Sequence, residues 1–327
     1  MNILVTGGAG FIGSNFVRYV LDKEPNANVI NLDLLTYAGN RENLSDIEAN
    51  PNYTFIRGNI TNAELVSYIM EHHDITHIVN FAAESHVDRS ILDPGVFIET
   101  NVQGTLNLLN QAKAFNIEKY LQVSTDEVYG SLGKTGYFTE DTPLTPNSPY
   151  SSSKASADLL VRAYNETYGL NTNITRCSNN YGPYHFPEKL IPLMITNAMD
   201  GKKLPVYGDG ENIRDWLHVK DHCQAIMLVL KKGQSGEVYN VGGHNERTNN
   251  QIVDLIVEKL DVPRSLITYV EDRLGHDRRY AIDPDKLMNE LGWKPEYTFD
   301  TGILETIEWY QSNEDWWRPL KNKAELR

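Results

Sequence analysis

The chain reads as an α/β protein: a doubly wound parallel sheet of the Rossmann type, followed by a smaller C-terminal lobe. Three observations predict this. Short apolar runs alternate with helical periodicity through the first half, a glycine cluster follows the first of these runs at once, and beyond Pro183 the composition shifts to proline, glycine and charge with shorter elements. Residues 1–6 read as a buried strand that runs into Gly7-Gly8-Ala9-Gly10-Phe11-Ile12-Gly13, where a helix begins. Further strands are predicted at 29–32, 53–57, 75–81, 120–124 and 173–176, each separated by helical periodicity. Strands linked in this way lie parallel, with right-handed crossovers and helices on both faces. In the second half, helices are predicted near 188–199, 220–231, 249–260 and 301–311. Residues 1–183 are assigned to the sheet domain and 184–327 mainly to the smaller lobe, across a soft boundary that lets elements return to the sheet. From Asp315 onward the chain carries Trp316, Trp317 and several lysines, a composition that suits either an exposed tail or the cover of a groove.

Composition removes several functional classes. The net charge is −14, the pI is about 5.1 and there is no dense basic run, which argues against nucleic acid as a partner. No apolar run has the length needed to span a bilayer. Cys177 and Cys223 form neither a metal spacing nor a disulfide framework, and the chain begins directly on a strand, so a cytoplasmic protein with reduced thiols is expected. His72, His73 and His77 read as solvated residues at a helix end and a strand edge, and no metal site is predicted.

Ligands of doubly wound sheets bind beyond the carboxyl ends of the strands, and the informative motifs all fall there. Gly8, Gly10 and Gly13 satisfy GxGxxG, while Gly7, Gly10 and Gly13 satisfy GxxGxxG. Either set allows a tight turn and close approach of backbone N–H groups to a pyrophosphate. Asp33 ends the second strand about twenty residues after the last glycine, where a carboxylate accepts hydrogen bonds from ribose hydroxyls, which favours NAD over NADP. Three other strand ends open into Ala82-Ala83-Glu84-Ser85, Thr125-Asp126-Glu127 and Cys177-Ser178-Asn179-Asn180-Tyr181-Gly182-Pro183, so three loops converge on one cleft.

That cleft carries acid–base equipment. Tyr150 and Lys154 stand four apart at the start of a predicted helix, with Ser148 as N-cap and Pro149 at the first helical position, so both project from one face. A lysine so placed favours the phenolate and prepares the tyrosine as a base; a chance pair on a surface helix is the alternative. Asp126 and Glu127 are neighbours that a regular strand would send to opposite faces, so they serve one site only from an irregular loop. A solvated acidic pair is the competing account.

The glycine turn, the Tyr150/Lys154 pair and the Asn179-Asn180-Tyr181-Gly182-Pro183 turn resemble the extended short-chain dehydrogenase/reductases that act on nucleotide sugars. Ser-Thr-Asp-Glu-Val-Tyr-Gly (124–130), Ala-Ala-Glu-Ser-His-Val-Asp-Arg-Ser (82–90) and Arg-Cys-Ser-Asn-Asn-Tyr-Gly-Pro (176–183) are closely similar to the 4,6-dehydratase branch that converts dTDP-glucose to a 4-keto-6-deoxy sugar for rhamnose and other deoxysugars. The likeness spans almost the whole chain. It implies a lyase with retained NAD and a catalytic group of Thr125, Asp126, Glu127, Tyr150 and Lys154. In that scheme Tyr150 takes the 4-hydroxyl proton as hydride leaves carbon 4. Glu127 then removes the carbon-5 proton, Asp126 protonates the departing 6-hydroxyl, and hydride returns to carbon 6. Thr125 would hydrogen-bond the 4-oxygen.

The resemblance places the cofactor on Gly7, Gly10, Phe11, Ile12, Gly13, Asp33, Thr36, Asn59, Ile60, Ala82, Ala83, Thr100, Tyr150, Lys154 and Asn180. It places the nucleotide sugar on Glu84, Ser85, Thr125, Asn179, Lys189, Leu190, Pro205, Tyr207, Arg214, Asn249, Arg273 and His276, so that the C-terminal lobe is substrate-binding. It also implies a homodimer paired through apolar faces of helices at 96–115 and 150–168. Two positions depart from the family pattern: Asn59 stands where an aspartate is common, and His185 where glutamine is common. Other readings are a 4-epimerase or decarboxylase of the same fold, which has no use for the Asp126-Glu127 pair, and a non-catalytic NAD-binding sensor, which has no use for the Tyr150/Lys154 dyad.

Overall fold

The structure, a computed structural model, describes residues 1–272 and 276–325, the last three by backbone alone. Twelve strands are described in chain order. They are β1 (Asn2–Thr6), β2 (Asn28–Asp33), β3 (Tyr53–Arg57), β4 (His77–Asn80), β5 (Lys119–Thr125), β6 (Thr172–Cys177), β7 (Asn179–Tyr181), β8 (Leu204–Tyr207), β9 (Ile213–His218), β10 (Val238–Val241), β11 (Glu246–Thr248) and β12 (Ile267–Val270). Between and after them come α1 (Phe11–Lys23), α2 (Ala63–His72), α3 (Val87–Leu92), α4 (Pro94–Phe97), α5 (Thr105–Ala114), α6 (Pro149–Tyr168), α7 (Leu190–Met199), α8 (Val219–Lys232), α9 (Asn249–Lys259), α10 (Asp285–Leu291), α11 (Phe299–Ser312) and α12 (Glu314–Glu325).

Seven strands form one parallel sheet in the order β10-β6-β5-β4-β1-β2-β3. The doubly wound Rossmann architecture expected from the sequence is present. Because side chains alternate across a strand, β1 sends Ile3 and Val5 to one face and Leu4 to the other. The first face is covered by Phe16, Val17 and Val20 of α1 and Ile226, Val229 and Leu230 of α8. The second is covered by Val66 and Ile69 of α2, Leu108 and Leu109 of α5 and Val161 of α6. Truncating one such fully buried leucine to alanine costs about 2–5 kcal/mol, so the sheet is a stiff platform for the loops at its carboxyl ends.

Strand order reverses at β1, which pairs with β2 on one side and β4 on the other, with Thr6 level with both Leu32 and Asn80. Beside them Thr125 is level with Cys177. The carboxyl ends of β1, β4, β5 and β6 thus open on one crevice at the topological switch point.

A second group of elements, β7-β9-β11, the β8-β12 pair, α7, α9, α11 and α12, encloses its own core around Tyr181, Trp216, Phe299 and Trp317. Trp317 is fully buried in this core, so the tryptophan-bearing segment near the C-terminus is packed structure and not an exposed tail. The predicted helix at 96–115 is interrupted: α4 and α5 flank a π-helical stretch, Ile98–Gly104. His77 corrects its sequence reading as a solvated residue. It lies on the inner strand β4, is buried, and its Nδ1 is 2.8 Å from Thr76 Oγ1; burial lowers its pKa.

Candidate active site

The crevice holds a cavity of about 540 Å³ that runs from the glycine-rich turn to β8 and β9. Its pyrophosphate end is built from what side chains are missing. Gly7 has φ +71°, and a Cβ there would lie 2.6 Å from the Ala82 backbone nitrogen, while a Cβ on Gly13 would lie 2.3 Å from the Gly7 carbonyl oxygen. Gly7, Gly10 and Gly13 line the cavity, whereas Gly8 packs inward, where a Cβ would meet Asn31 Oδ1 at 2.4 Å. Of the two glycine patterns, GxxGxxG is the one that faces the site. Gly10 caps α1 without a side-chain hydrogen bond and no acidic residue occupies its first turn, so the helix presents N–H groups and positive potential to an anion. Asp33 accepts hydrogen bonds from the Ala9 N–H at 2.9 Å and the Leu35 N–H at 2.7 Å; burial raises its pKa against these two donors. This glycine cradle and carboxylate fit a dinucleotide.

Every other residue predicted to touch the cofactor also lines the cavity: Phe11, Ile12, Thr36, Asn59, Ile60, Ala82, Ala83, Thr100, Tyr150, Lys154 and Asn180. Thr100 lies in the π-helical stretch, and the neighbouring Asn101 ties several parts together. Its Oδ1 accepts from the Glu84 N–H at 2.9 Å, and its Nδ2 donates to Glu84 O at 3.0 Å and Ser153 Oγ at 2.8 Å. Ser153 in turn donates to Tyr150 O at 2.7 Å, so the loop after β4 and the start of α6 hold each other.

The helix that carries the dyad forms as expected. Ser148 and Ser151 make a reciprocal capping box, Pro149 occupies the first turn, and Gly169 ends the helix in the left-handed region at φ +67°. Lys154 does not act on Tyr150 as expected, however. Its ammonium donates to Val123 O at 2.8 Å, which ties α6 to β5, and burial lowers its pKa. Burial first, then the Glu127 carboxylate, holds the Tyr150 hydroxyl well above the usual phenol range, the reverse of the lowering expected from the lysine.

Thr125 ends β5, and its Oγ1 accepts from the Glu127 N–H at 3.2 Å, which starts a 3₁₀ turn at Asp126–Tyr129. The turn frees the two acids from strand alternation and places them unequally. Thr125 and Glu127 line the cavity; Asp126 does not, and it is the only one of the five predicted catalytic residues set behind the wall. Asp126 is buried, with Oδ1 3.4 Å from Thr125 Oγ1 and no hydrogen-bond partner for Oδ2 among the described residues. Burial, then Glu127 and Asp215, push its pKa well above the ordinary carboxylate value, with Arg214 opposing. These surroundings favour the protonated carboxyl.

At the far end the cavity is lined by Glu84, Ser85, Asn179, Lys189, Leu190, Pro205, Tyr207, Arg214, Asn249 and His276. Lys189 caps α7, Asn249 opens α9, and Pro205 and Tyr207 lie on β8. Arg214 on β9 donates to Ile213 O at 2.7 Å and Asp277 O at 2.9 Å, with its guanidinium 4.3 Å from the centre of the Tyr280 ring. His276 Nδ1 is 2.6 Å from Asp272 Oδ1. Arg273 lies outside the described residues. His185 packs as a stacked ring, 4.2 Å from Phe11, and burial pushes its pKa down to about 3.

Sequence reasoning missed Tyr37, Phe186 and Glu188, all in the cavity wall. The Tyr37 hydroxyl is 3.3 Å from Ser85 Oγ, and Arg89 sits 4.3 Å from the centre of its ring. Its only signal in the chain is its place four residues after Asp33. Cys177 also lines the wall, and burial pushes its thiol up to about 12, so it stays un-ionised. Away from the cavity, His244, Asp283 and Asp285 bring one ligand atom each within 4.8 Å of one another; the sequence spacing suggests no such group. Among the described residues, no helix is long and apolar enough to cross a membrane.

Comparison with known proteins adds a second line of support. Residues 4–306 match the family model described as GDP-mannose 4,6-dehydratase. A dTDP-glucose 4,6-dehydratase of Xanthomonas campestris pv. campestris (strain B100) is 55% identical over 331 residues, covering 96% of this chain and 94% of the relative. The crystal structure of the Bacillus anthracis dTDP-glucose 4,6-dehydratase in complex with NAD is 58% identical, with a TM-score of 0.93 over 98% of this chain and 99% of that one. The Streptomyces venezuelae enzyme of the same name, with NAD and TYD bound, is 51% identical, with a TM-score of 0.95 over 98% of this chain and 100% of that one.

Proposed function

This chain belongs to the GDP-mannose 4,6-dehydratase family, and from that premise we propose that it converts dTDP-glucose to dTDP-4-keto-6-deoxyglucose and water. It is an NAD-dependent lyase. The observation that carries the reading is the unequal acid pair: Glu127 in the wall of the cavity that Tyr150 also lines, beside buried Asp126, whose surroundings favour the protonated carboxyl. Elimination across carbons 5 and 6 needs one group that takes a proton and one that gives a proton. Epimerisation at carbon 4 needs neither.

NAD supplies the chemistry that no side chain has, accepting hydride from carbon 4 and returning it to carbon 6. Gly7, Gly10, Gly13 and Asp33 are the residues that hold it, through the helix N-terminus and the ribose hydroxyls. Tyr150 must first lose its own proton, against the burial and the Glu127 charge that favour the phenol, and as phenolate it then receives the proton of the 4-hydroxyl, while Thr125 Oγ1 orients that oxygen. Lys154, fixed to Val123 O, anchors α6 to β5 and so positions the helix start that carries the phenol. Glu127 takes the carbon-5 proton once the 4-ketone has acidified it. Asp126, set behind the wall with Oδ1 against Thr125 Oγ1, must turn into the cavity to give its proton to the departing 6-oxygen. At the far end Arg214, Lys189 and Asn179 supply cationic and amide donors to the diphosphate, and Pro205 and Tyr207 form a ledge for the pyrimidine. The acidic balance of the chain, −14, makes that local basic group selective for one small anion rather than for polyanions. We propose a cytoplasmic homodimer that supplies rhamnose or another deoxysugar pathway, with α5 and α6 at the subunit contact; exposed Leu106, Phe115, Leu159 and Tyr168 on these helices and their ends support it.

The test is direct. The purified protein is incubated separately with dTDP-glucose and UDP-glucose, and the 4-keto-6-deoxy product is followed by mass and by its alkaline ultraviolet absorbance. Product from dTDP-glucose is expected; an epimerised hexose or an unchanged sugar would refute the assignment.

A further inference from the structure

From the far end of the chain, α12 reaches a residue that holds the glycine-rich turn. Trp316 Nε1 donates a 2.8 Å hydrogen bond to Asn43 Oδ1, 273 residues away in sequence. Asn43 is only 2% exposed, and its Nδ2 donates to Ala9 O at 2.9 Å. Ala9 sits between Gly8 and Gly10, and its N–H donates to Asp33 Oδ2 at 2.9 Å. Ala9 is therefore pinned on both sides, its N–H by the carboxylate predicted to hold ribose and its carbonyl by the Asn43 amide that Trp316 orients and by the Asn40 backbone N–H at 3.0 Å. The Trp316 ring is itself fixed, edge-on to Tyr184 at 5.6 Å and to Trp309 at 5.0 Å, while Arg18 sits 4.1 Å from the Tyr184 ring centre and also donates to Asn43 O.

We propose that Trp316 and Asn43 are positioning residues for the dinucleotide: through Ala9 they hold the glycine-rich turn in its binding geometry, so that the C-terminal helix sets how tightly NAD is kept. The inference rests on the reading that this turn holds NAD. Neither residue lines the cavity, so any effect on the cofactor has to travel through the turn. An amide whose oxygen and nitrogen are both engaged has one orientation; removing the indole N–H leaves its oxygen without that donor and its direction less fixed. The hydrogen bond from Trp316 to Asn43 and the one from Asn43 to Ala9 lie in line, so along this route the two residues form a series and not a sum.

The experiment uses the full chain loaded with radiolabelled NAD, chased with unlabelled NAD, with dTDP affinity measured in parallel by calorimetry. Trp316→Phe keeps an aromatic ring against Tyr184 and Trp309 and removes the N–H; Asn43→Ala removes the link itself. NAD release is expected to quicken about threefold to tenfold in Trp316→Phe, the loss of one buried hydrogen bond, and at least as much in Asn43→Ala. The double variant should release NAD no faster than Asn43→Ala, and dTDP affinity should stay within about twofold of the parent, below the effect of one hydrogen bond. Parent-like NAD release in Trp316→Phe, rate increases that multiply in the double variant, or a parallel loss of dTDP affinity would each overturn the proposal. A parent protein that holds no NAD at all would instead overturn the reading beneath it.

Discussion

Replacing Asp126 by asparagine separates its catalytic role from its structural one. Burial favours the protonated carboxyl, and an amide is its close neutral counterpart in size, so the substitution opens no cavity and, on this reading, removes no ion pair. The sign of the pH effect follows from linkage. A carboxyl whose native pKa is raised binds more protons folded than unfolded between its unfolded pKa, about 3.9, and its native value. Stability from this group is therefore fully present below the unfolded pKa and is lost as pH rises, at about 1.4 kcal/mol per pH unit until the native pKa is reached. The amide of the Asp126→Asn variant does not titrate and has no such loss. In urea unfolding at pH 4.5 and pH 5.5, the variant should gain stability relative to the parent as pH rises, by at most about 1.4 kcal/mol per pH unit. Its dehydration rate should fall by about a hundredfold or more, the usual contribution of a positioned general acid. A variant that loses stability relative to the parent as pH rises would mean that the native carboxyl is ionised and paired. Dehydration at the parent rate would mean that another group protonates the 6-oxygen. Either result refutes the assignment.

Three further outcomes are expected. Glu127→Gln should still transfer the first hydride but stall before water loss, seen as build-up of reduced-nicotinamide absorbance in a single turnover with product formation down about a hundredfold. Gly7→Ala places a methyl 2.6 Å from the Ala82 nitrogen at φ +71°, and should cost at least about 1–2 kcal/mol in thermal or urea unfolding while weakening NAD binding measured by calorimetry. Asp158→Ala strips the carboxylate from buried Arg176, whose Nε lies 2.9 Å from Asp158 Oδ2, and should destabilise the protein by about 3–5 kcal/mol in urea unfolding, whereas a loss below about 1 kcal/mol would show that the pair is hydrated.

Much of the fold was legible because its signals are local. Strand and helix periods, the Ser148-Pro149 start of α6 and the glycine turn each depend on residues within a few positions. The site was legible where strand ends carry it, since β1 and β4 finish level, β5 and β6 finish level three residues further on, and their loops open on the same crevice. The remainder depends on contacts between distant parts. Whether Gly8 or Gly7 faces the cofactor is decided by Asn31 and Ala82. Asp126 falls behind the wall because Thr125 caps a turn one residue earlier than a continuous strand would end. Lys154 turns to a carbonyl of β5, a main-chain acceptor that carries no side-chain signature. Tyr37 and Trp316 gain their meaning from Ser85 and Asn43, each far away in the chain.

The seventh strand has a consequence for how this protein is made. β10, at Val238–Val241, completes a sheet whose other six strands are all finished by Cys177. During synthesis about sixty residues must emerge after β6 before its open edge acquires a neighbour, and an unpaired inner strand is a template for pairing with other chains. A fragment cut at the seam between the two lobes would keep that edge bare for good. Dividing the gene there to obtain a free-standing cofactor module would yield an aggregating product, and a shuttle of the C-terminal lobe onto a sister scaffold must carry β10 along with α8.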